Sequence, residues 1–245
     1  MPDGSEGRES EEGTRLYYYD STYLFVLVAV ALSLIAQGMV KSAYSKYSKV
    51  PTRAGQPASR VVDDLLRQNG NNAVTVRPVP GTLTDHYDPR DETLSLSDGV
   101  YNSSSVAALG IAAHEAGHAM QKKEGYGPLA LRSVMVPVVQ FGSHLSMPII
   151  LLGFLMSIRP LITIGIVMFG FVVAFSLITL PVEFDASRRA VEMLSSGGYI
   201  DREEEAGVRA VLRAAAMTYV AGALGALLQM ARLILLSRGG SRRRD

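Results

Sequence analysis

The stretch TYLFVLVAVALSLIAQGMV, Thr22 to Val40, decides the fold, because it carries no charged side chain along its whole length. As a helix it is long enough to cross the ~30 Å hydrocarbon layer of a bilayer. A secretory leader is the rival reading, but the residues before this stretch are acidic rather than basic, and no small-residue cleavage site follows. We read it as a transmembrane helix. Tyr17, Tyr18, Tyr19 and Tyr23 at one end, and Tyr44 and Tyr47 at the other, fit interfacial aromatic belts.

The rest of the composition agrees with a membrane protein. The 245 residues are 48% apolar and only 19% charged, and the apolar residues fall in long runs, so we expect a mainly α membrane protein with three or four apolar helices and a small α+β unit. A net charge of +1 gives no basic surface for nucleic acid. The absence of cysteine excludes a disulfide framework, a Cys-ligated zinc site and a thiol nucleophile. Any metal site must use histidine and carboxylate.

Residues 1–16 read as a disordered acidic tail and 17–43 as the first transmembrane helix. Lys41, Lys46, Lys49, Arg53, Arg60 and Arg67 follow that helix, which places residues 41 onward in the cytoplasm and the protein in the plasma membrane as a multi-pass chain. Within 44–128, ASRVVDDLLRQNG is an amphipathic helix closed by Asn69 and Gly70. AVTVRPVPG is a strand that Pro78 and Pro80 confine to an edge, and TLSLSDGVY is a second, alternating strand after a DHYDP turn. Ser103 to Lys122 suits a helix with a serine cap, and Gly110 and Gly117 within it permit close packing.

Residues 129–182 read as a transmembrane hairpin turning at Arg159 and Pro160, its first arm interrupted by Pro137, His144 and Pro148. Residues 183–217 read as cytoplasmic helices, with Glu183 opening a new helix after the span and a turn at Ser195 to Tyr199. The apolar helix 218–237 is ambiguous. Gln229, Arg232 and the basic tail 238–245 suit a helix packed on the catalytic region as well as one that crosses.

The chemistry lies in IAAHEAGHAMQ, Ile111 to Gln121. Positions i and i+4 share a helix face, so His114 and His118 can offer two imidazoles to one metal, with Glu115 beside them able to reach a metal-activated water. Small apolar neighbours imply that this helix is buried, and buried histidines need partners. Glu124 lies past the helix in a glycine-bounded turn, so the better third ligand is Glu183, which two membrane crossings return to the face that His118 occupies. Asp185 is either an outer partner that orients a ligand imidazole or a solvated acid.

The words TLSLSDGVY, SVAALGIAAHEAGHAMQ, LPVEFDASRRA and AAAMTYVAGALGALLQ closely resemble the YugP-like family of membrane-bound neutral zinc metallopeptidases, over nearly all of Tyr23 to Leu236. That resemblance implies a zincin-like catalytic unit, one zinc ion held by His114, His118 and Glu183 with an open fourth position, and Glu115 as the base. It also implies a strand, here TLSLS, that runs antiparallel to an extended substrate. Membrane relatives in the wider zincin clan carry an aspartate four residues after the ligand glutamate. This chain has Ser187 there, which leaves Asp185 to compensate.

The expected function is that of a zinc metalloendopeptidase acting on peptides or proteins, membrane proteins included. A membrane scaffold or chaperone-like protein with a structural metal site is the alternative, and closed coordination by a fourth protein ligand would favour it. A transporter is a third reading, raised by His144 and Gln140 within a span, but no internal repeat supports it. His144 alone in an apolar run reads as a packing or interfacial residue, and His86 as a surface residue. Arg188, Arg189 and Tyr219 are candidates to stabilise an oxyanion, although paired arginines near a bilayer more often anchor topology.

Overall fold

The computed structural model describes residues 22–239. The expected tail 1–16, Tyr17 to Tyr19 and residues 240–245 lie outside the described residues. Ten elements follow in order: α1 (Tyr23–Tyr47), α2 (Ala58–Gln68), β1 (Thr75–Val79), β2 (His86–Asp88), β3 (Thr93–Ser97), α3 (Asp98–Tyr101), α4 (Val106–Lys123), α5 (Gly127–Leu155), α6 (Arg159–Ser196) and α7 (Arg202–Gly239). Among the described residues, α1, α5, α6 and α7 are long and apolar enough to cross a membrane.

These four helices pack as two antiparallel pairs, α5 on α6 and α1 on α7, joined by contact of α6 with α7. Lipid offers apolar side chains no reason to leave it, so such pairs are held by close backbone approach. Gly142, Ser146, Ile150 and Gly153 form the buried stripe of α5. Opposite them, a Cβ at Gly165 would collide with Ile150 Cγ1 and lie 2.9 Å from the Ser146 carbonyl oxygen. Only glycine allows that approach.

Three features differ from the sequence-based expectation, and in each a helix runs on past a position where the sequence suggested a boundary. Pro137 and Pro148 lie inside α5 without ending it. Glu183 does not open a new helix: α6 runs unbroken from Arg159 to Ser196, through Pro181. The stretch 218–237 is the distal half of α7, a single helix about 57 Å long at 1.5 Å per residue.

That stretch continues α7 rather than forming a separate helix on the catalytic region. The first half of α7 packs on α4, where Val208 meets Gly110, and its second half runs antiparallel along α1, where Gly225 faces Ala29. Arg232 is carried to the far end of α7, where its guanidinium lies 4.8 Å from the centre of the Tyr23 ring at the start of α1 and its Nε donates to Thr22 Oγ1 at 3.3 Å. A long side chain can place its charge at the interface in this way.

The α+β unit sits at the other end of the helices. Val61, Val62, Leu65 and Leu66 of α2 are fully buried, each contributing roughly 1.5–3 kcal/mol to the core. The sheet order is β1-β3-β2, with β1 parallel and β2 antiparallel to β3. Hence β1 is an edge, as Pro78 requires, but β3 is the central strand and is buried at every residue rather than alternating. His86 is exposed as expected, yet it belongs to strand β2 instead of a turn. Ser105 caps α4 by accepting from the Ala108 N–H at 3.2 Å.

Candidate metal centre

Helix α4 supplies His114 and His118 one turn apart, and α6 supplies Glu183. The two helices can meet only because residue 117 has no side chain. A Cβ on Gly117 would lie 2.6 Å from the Ala186 carbonyl oxygen, inside van der Waals contact. This close approach carries Glu183 to the histidines.

Glu183 Oε2 lies 3.2 Å from His114 Nε2 and 3.5 Å from His118 Nε2. The three donor atoms all lie within 4.8 Å of one another. Four-coordinate zinc with bonds of ~2.1 Å sets its ligand atoms about 3.4 Å apart, so the spacing and the two-imidazole, one-carboxylate donor set both fit zinc. The Glu183 side chain is 3% exposed and those of the histidines 15% and 12%, so little solvent screens the carboxylate. Burial opposes a positive charge on His118, but hydrogen bonding to Glu183 and the nearby Glu115 carboxylate outweigh it and raise the His118 pKa above its ordinary value. The same negative field favours a bound cation.

The outer nitrogens of both imidazoles are held as well. His118 Nδ1 lies 3.0 Å from Gln121 Oε1, while Gln121 Nε2 donates to the Val182 carbonyl at 2.8 Å and to Asp185 Oδ2 at 2.9 Å. A carbonyl can only accept, which fixes the amide orientation, so Nδ1 carries the proton and Nε2 keeps its lone pair for a metal. Asp185 therefore reaches His118 through Gln121. At His114 the outer partner is Ser187, whose Oγ lies 3.2 Å from Nδ1. Ser187, four residues after Glu183 on α6, makes that contact directly.

Arg132 of α5 donates from Nη1 to Glu183 Oε1 at 2.9 Å, leaving Oε2 toward the histidines. Sequence reasoning missed Arg132, since a basic residue near the end of an apolar helix reads as a topology anchor. It missed Gln121 too, although its place three residues after His118 on one helix face was the available signal. Arg188 pairs with Asp185 and Glu192, and Arg189 with Asp185 and Glu124. Neither arginine lines the two cavities at His114 and Glu183, whereas Tyr219 lines both. His144 is exposed, with its Nδ1 2.7 Å from the Gln140 carbonyl of its own helix and away from the cluster.

Glu115 lines the same cavities as His114 and Glu183. Its Oε2 accepts from the Tyr87 N–H at 2.9 Å, so the strand beside it is β2. This corrects the expectation for TLSLS: β3 is hydrogen-bonded on both sides, to β1 and β2, and has no edge to offer a peptide. In an antiparallel ladder the N–H and C=O of one residue point the same way. Tyr87 thus turns both toward the cleft.

Comparison with known proteins bears on this geometry. Residues 22–238 match the family described as "Putative neutral zinc metallopeptidase". The chain is also 45% identical over 220 residues to "Putative membrane protease YugP" of Bacillus subtilis (strain 168), an alignment that covers 89% of this chain and 98% of that protein. No solved structure matches significantly. If Gln121 orients His118, Gln121→Leu should weaken zinc binding by ~10–100-fold. Competition against a chromophoric chelator measures this.

Proposed function

The chain belongs to the neutral zinc metallopeptidase family, and from that premise we propose that it is a membrane-bound endopeptidase that hydrolyses peptide bonds with one zinc ion. The observation that carries the reading is the cluster of His114, His118 and Glu183 beside the Glu115 carboxylate, which accepts from the Tyr87 N–H on the outer edge of β2. His114, His118 and Glu183 hold the metal. Zinc bound there supplies a Lewis acid that polarises the scissile carbonyl and acidifies water.

Every other part is a side chain or backbone group of this chain. Tyr87, on the outer edge of β2, offers its carbonyl to the substrate backbone, which lies along β2 as an added antiparallel strand. Glu115 takes a proton from the attacking water and passes it to the leaving amine nitrogen as the C–N bond breaks. Tyr219 lines both cavities at the centre and is placed to donate to the carbonyl oxygen as it gains charge. Among the described residues the cluster contains three ligand side chains, which supports an open position and a catalytic role over a structural site.

The substrates are peptide segments close to the membrane surface. Val40 of α1, Val136 of α5 and Tyr219 of α7 all wall the cleft, so a chain entering it passes over the ends of apolar helices. We place the α+β unit in the cytoplasm of a multi-pass plasma-membrane protein, because Lys41, Lys46, Lys49, Arg53, Arg60 and Arg67 cluster at its end of the helices.

Two experiments check these assignments. The Glu115→Gln variant in detergent should bind as much zinc as the wild type and cleave casein or a peptide library ~10²–10⁴-fold more slowly. Equal cleavage by both proteins removes Glu115 as the base. For orientation, the cysteine-free chain permits single reporters. In intact cells Ser157→Cys, in the turn between α5 and α6, should react with a membrane-impermeant maleimide, and Ser196→Cys should react only after lysis.

A further inference from the structure

On α6 no charged residue stands between Leu161 and Val182, and on α7 none stands between Ala214 and Ala231. A further cavity, of about 230 Å³, opens between the two helices where these runs give way to charge, toward the α+β unit. Arg188 of α6 and Arg209 and Arg213 of α7 line it, and no carboxylate does. The other walls are apolar or small, Phe184, Val191 and Leu212 among them.

The three guanidinium groups keep donors to spare. Arg188 bonds to Asp185 and Glu192 from its two terminal nitrogens. Arg209 donates from Nε to Glu205 Oε1 at 2.7 Å, and its terminal nitrogens have no partner among the described residues. Arg213 is exposed and makes no hydrogen bond or ion pair with any described residue. A phosphate accepts such donors in pairs, so three of them around one space suit a phosphate ester.

Apolar side chains continue from the arginines into the charge-free halves of both helices. Phe184 lines the cavity and is 49% exposed. Leu177, seven residues before it, lies on the same face of α6 and is exposed as well. Leu227 lies eighteen residues after Arg209, five full turns along α7 and so on the same face, and it too is exposed. A soluble phosphate would leave this apolar path unused, whereas the acyl chains of a phospholipid would cover it.

We propose that the cavity binds the headgroup of an anionic phospholipid from the leaflet nearest the α+β unit, with its phosphate on Arg188, Arg209 and Arg213 and its acyl chains along Phe184 and Leu177. Basic pockets between membrane helices take anionic headgroups in this way. Ser187 also lines the cavity, and its Oγ is 3.2 Å from His114 Nδ1, so the headgroup lies one side chain from the candidate centre. Lipid binding here is independent of peptidase activity.

Native mass spectrometry of the full chain in detergent, titrated with phosphatidylglycerol or phosphatidylcholine, tests the site. One phosphatidylglycerol per chain should be retained, at a lipid concentration at least about tenfold below that needed for phosphatidylcholine. Arg213→Gln should weaken phosphatidylglycerol binding about fivefold, the contribution of one basic residue near a membrane surface. Arg213→Lys, which keeps the charge, should lose less. Lys49→Gln removes the same charge just beyond the end of α1, outside the cavity, and should change nothing.

Equal retention of the two lipids, unchanged affinity in Arg213→Gln, or an equal loss in Lys49→Gln overturns the site. Displacement of the lipid by inorganic phosphate at equal concentration assigns the arginines to a soluble phosphate and overturns the phospholipid. Melting temperature identifies a variant that fails to fold, and Arg209→Gln then replaces Arg213→Gln with the same expected loss.

Discussion

The carbonyl oxygen of Ala186 occupies the space that a side chain at position 117 would need, 2.6 Å from where its Cβ would be. Everything at the centre depends on this contact between α4 and α6. It sets the depth at which α6 passes the histidine helix, and so brings Glu183 Oε2 to 3.2 and 3.5 Å from the two imidazoles. Gly117 thus lies between the two histidines in sequence for a packing reason. Helix α4 loses some intrinsic propensity at that residue and gains the approach of a second helix.

The α5–α6 hairpin delivers the other half of the site. Because α6 is one rigid helix from Arg159 to Ser196, the packing of its apolar half against α5 fixes the position of its polar half. The same α5 contributes Arg132, which holds the far oxygen of Glu183 at 2.9 Å. The carboxylate is gripped from three helices' worth of side chains and backbone rather than presented on a loop. Such a centre is pre-organised, and its outer contacts through Gln121, Asp185 and Ser187 tie imidazole orientation to the same helix that supplies the carboxylate.

Much of this was legible in the sequence, and the parts that were not share a physical cause. Thr22 to Val40 reads as a span because hydropathy is local. His114, Glu115 and His118 read as a constellation because helical geometry fixes i and i+4. The pairing with Glu183 follows from counting membrane crossings. By contrast, the continuity of α6 through Pro181 and of α7 past Arg213 is hidden, since charge and proline ordinarily mark boundaries that a packed helix ignores. The identity of the edge strand was misplaced for a similar reason. His86–Asp88 is only three residues long and sits in turn-like composition, whereas TLSLS looks like an amphipathic edge and is the buried centre. Arg132 and Gln121 gain their roles from tertiary neighbours that no local pattern encodes.

In the proposed centre two histidines of α4 and one carboxylate of α6 form a single zinc site. Equilibrium zinc binding to wild type, Glu183→Gln and Glu124→Gln tests it most directly. One zinc per wild-type chain is predicted, with affinity in Glu183→Gln reduced by more than the ~10–100-fold typical of losing an outer partner, and unchanged affinity in Glu124→Gln. Full zinc affinity in a folded Glu183→Gln, or its loss in Glu124→Gln, would contradict the account.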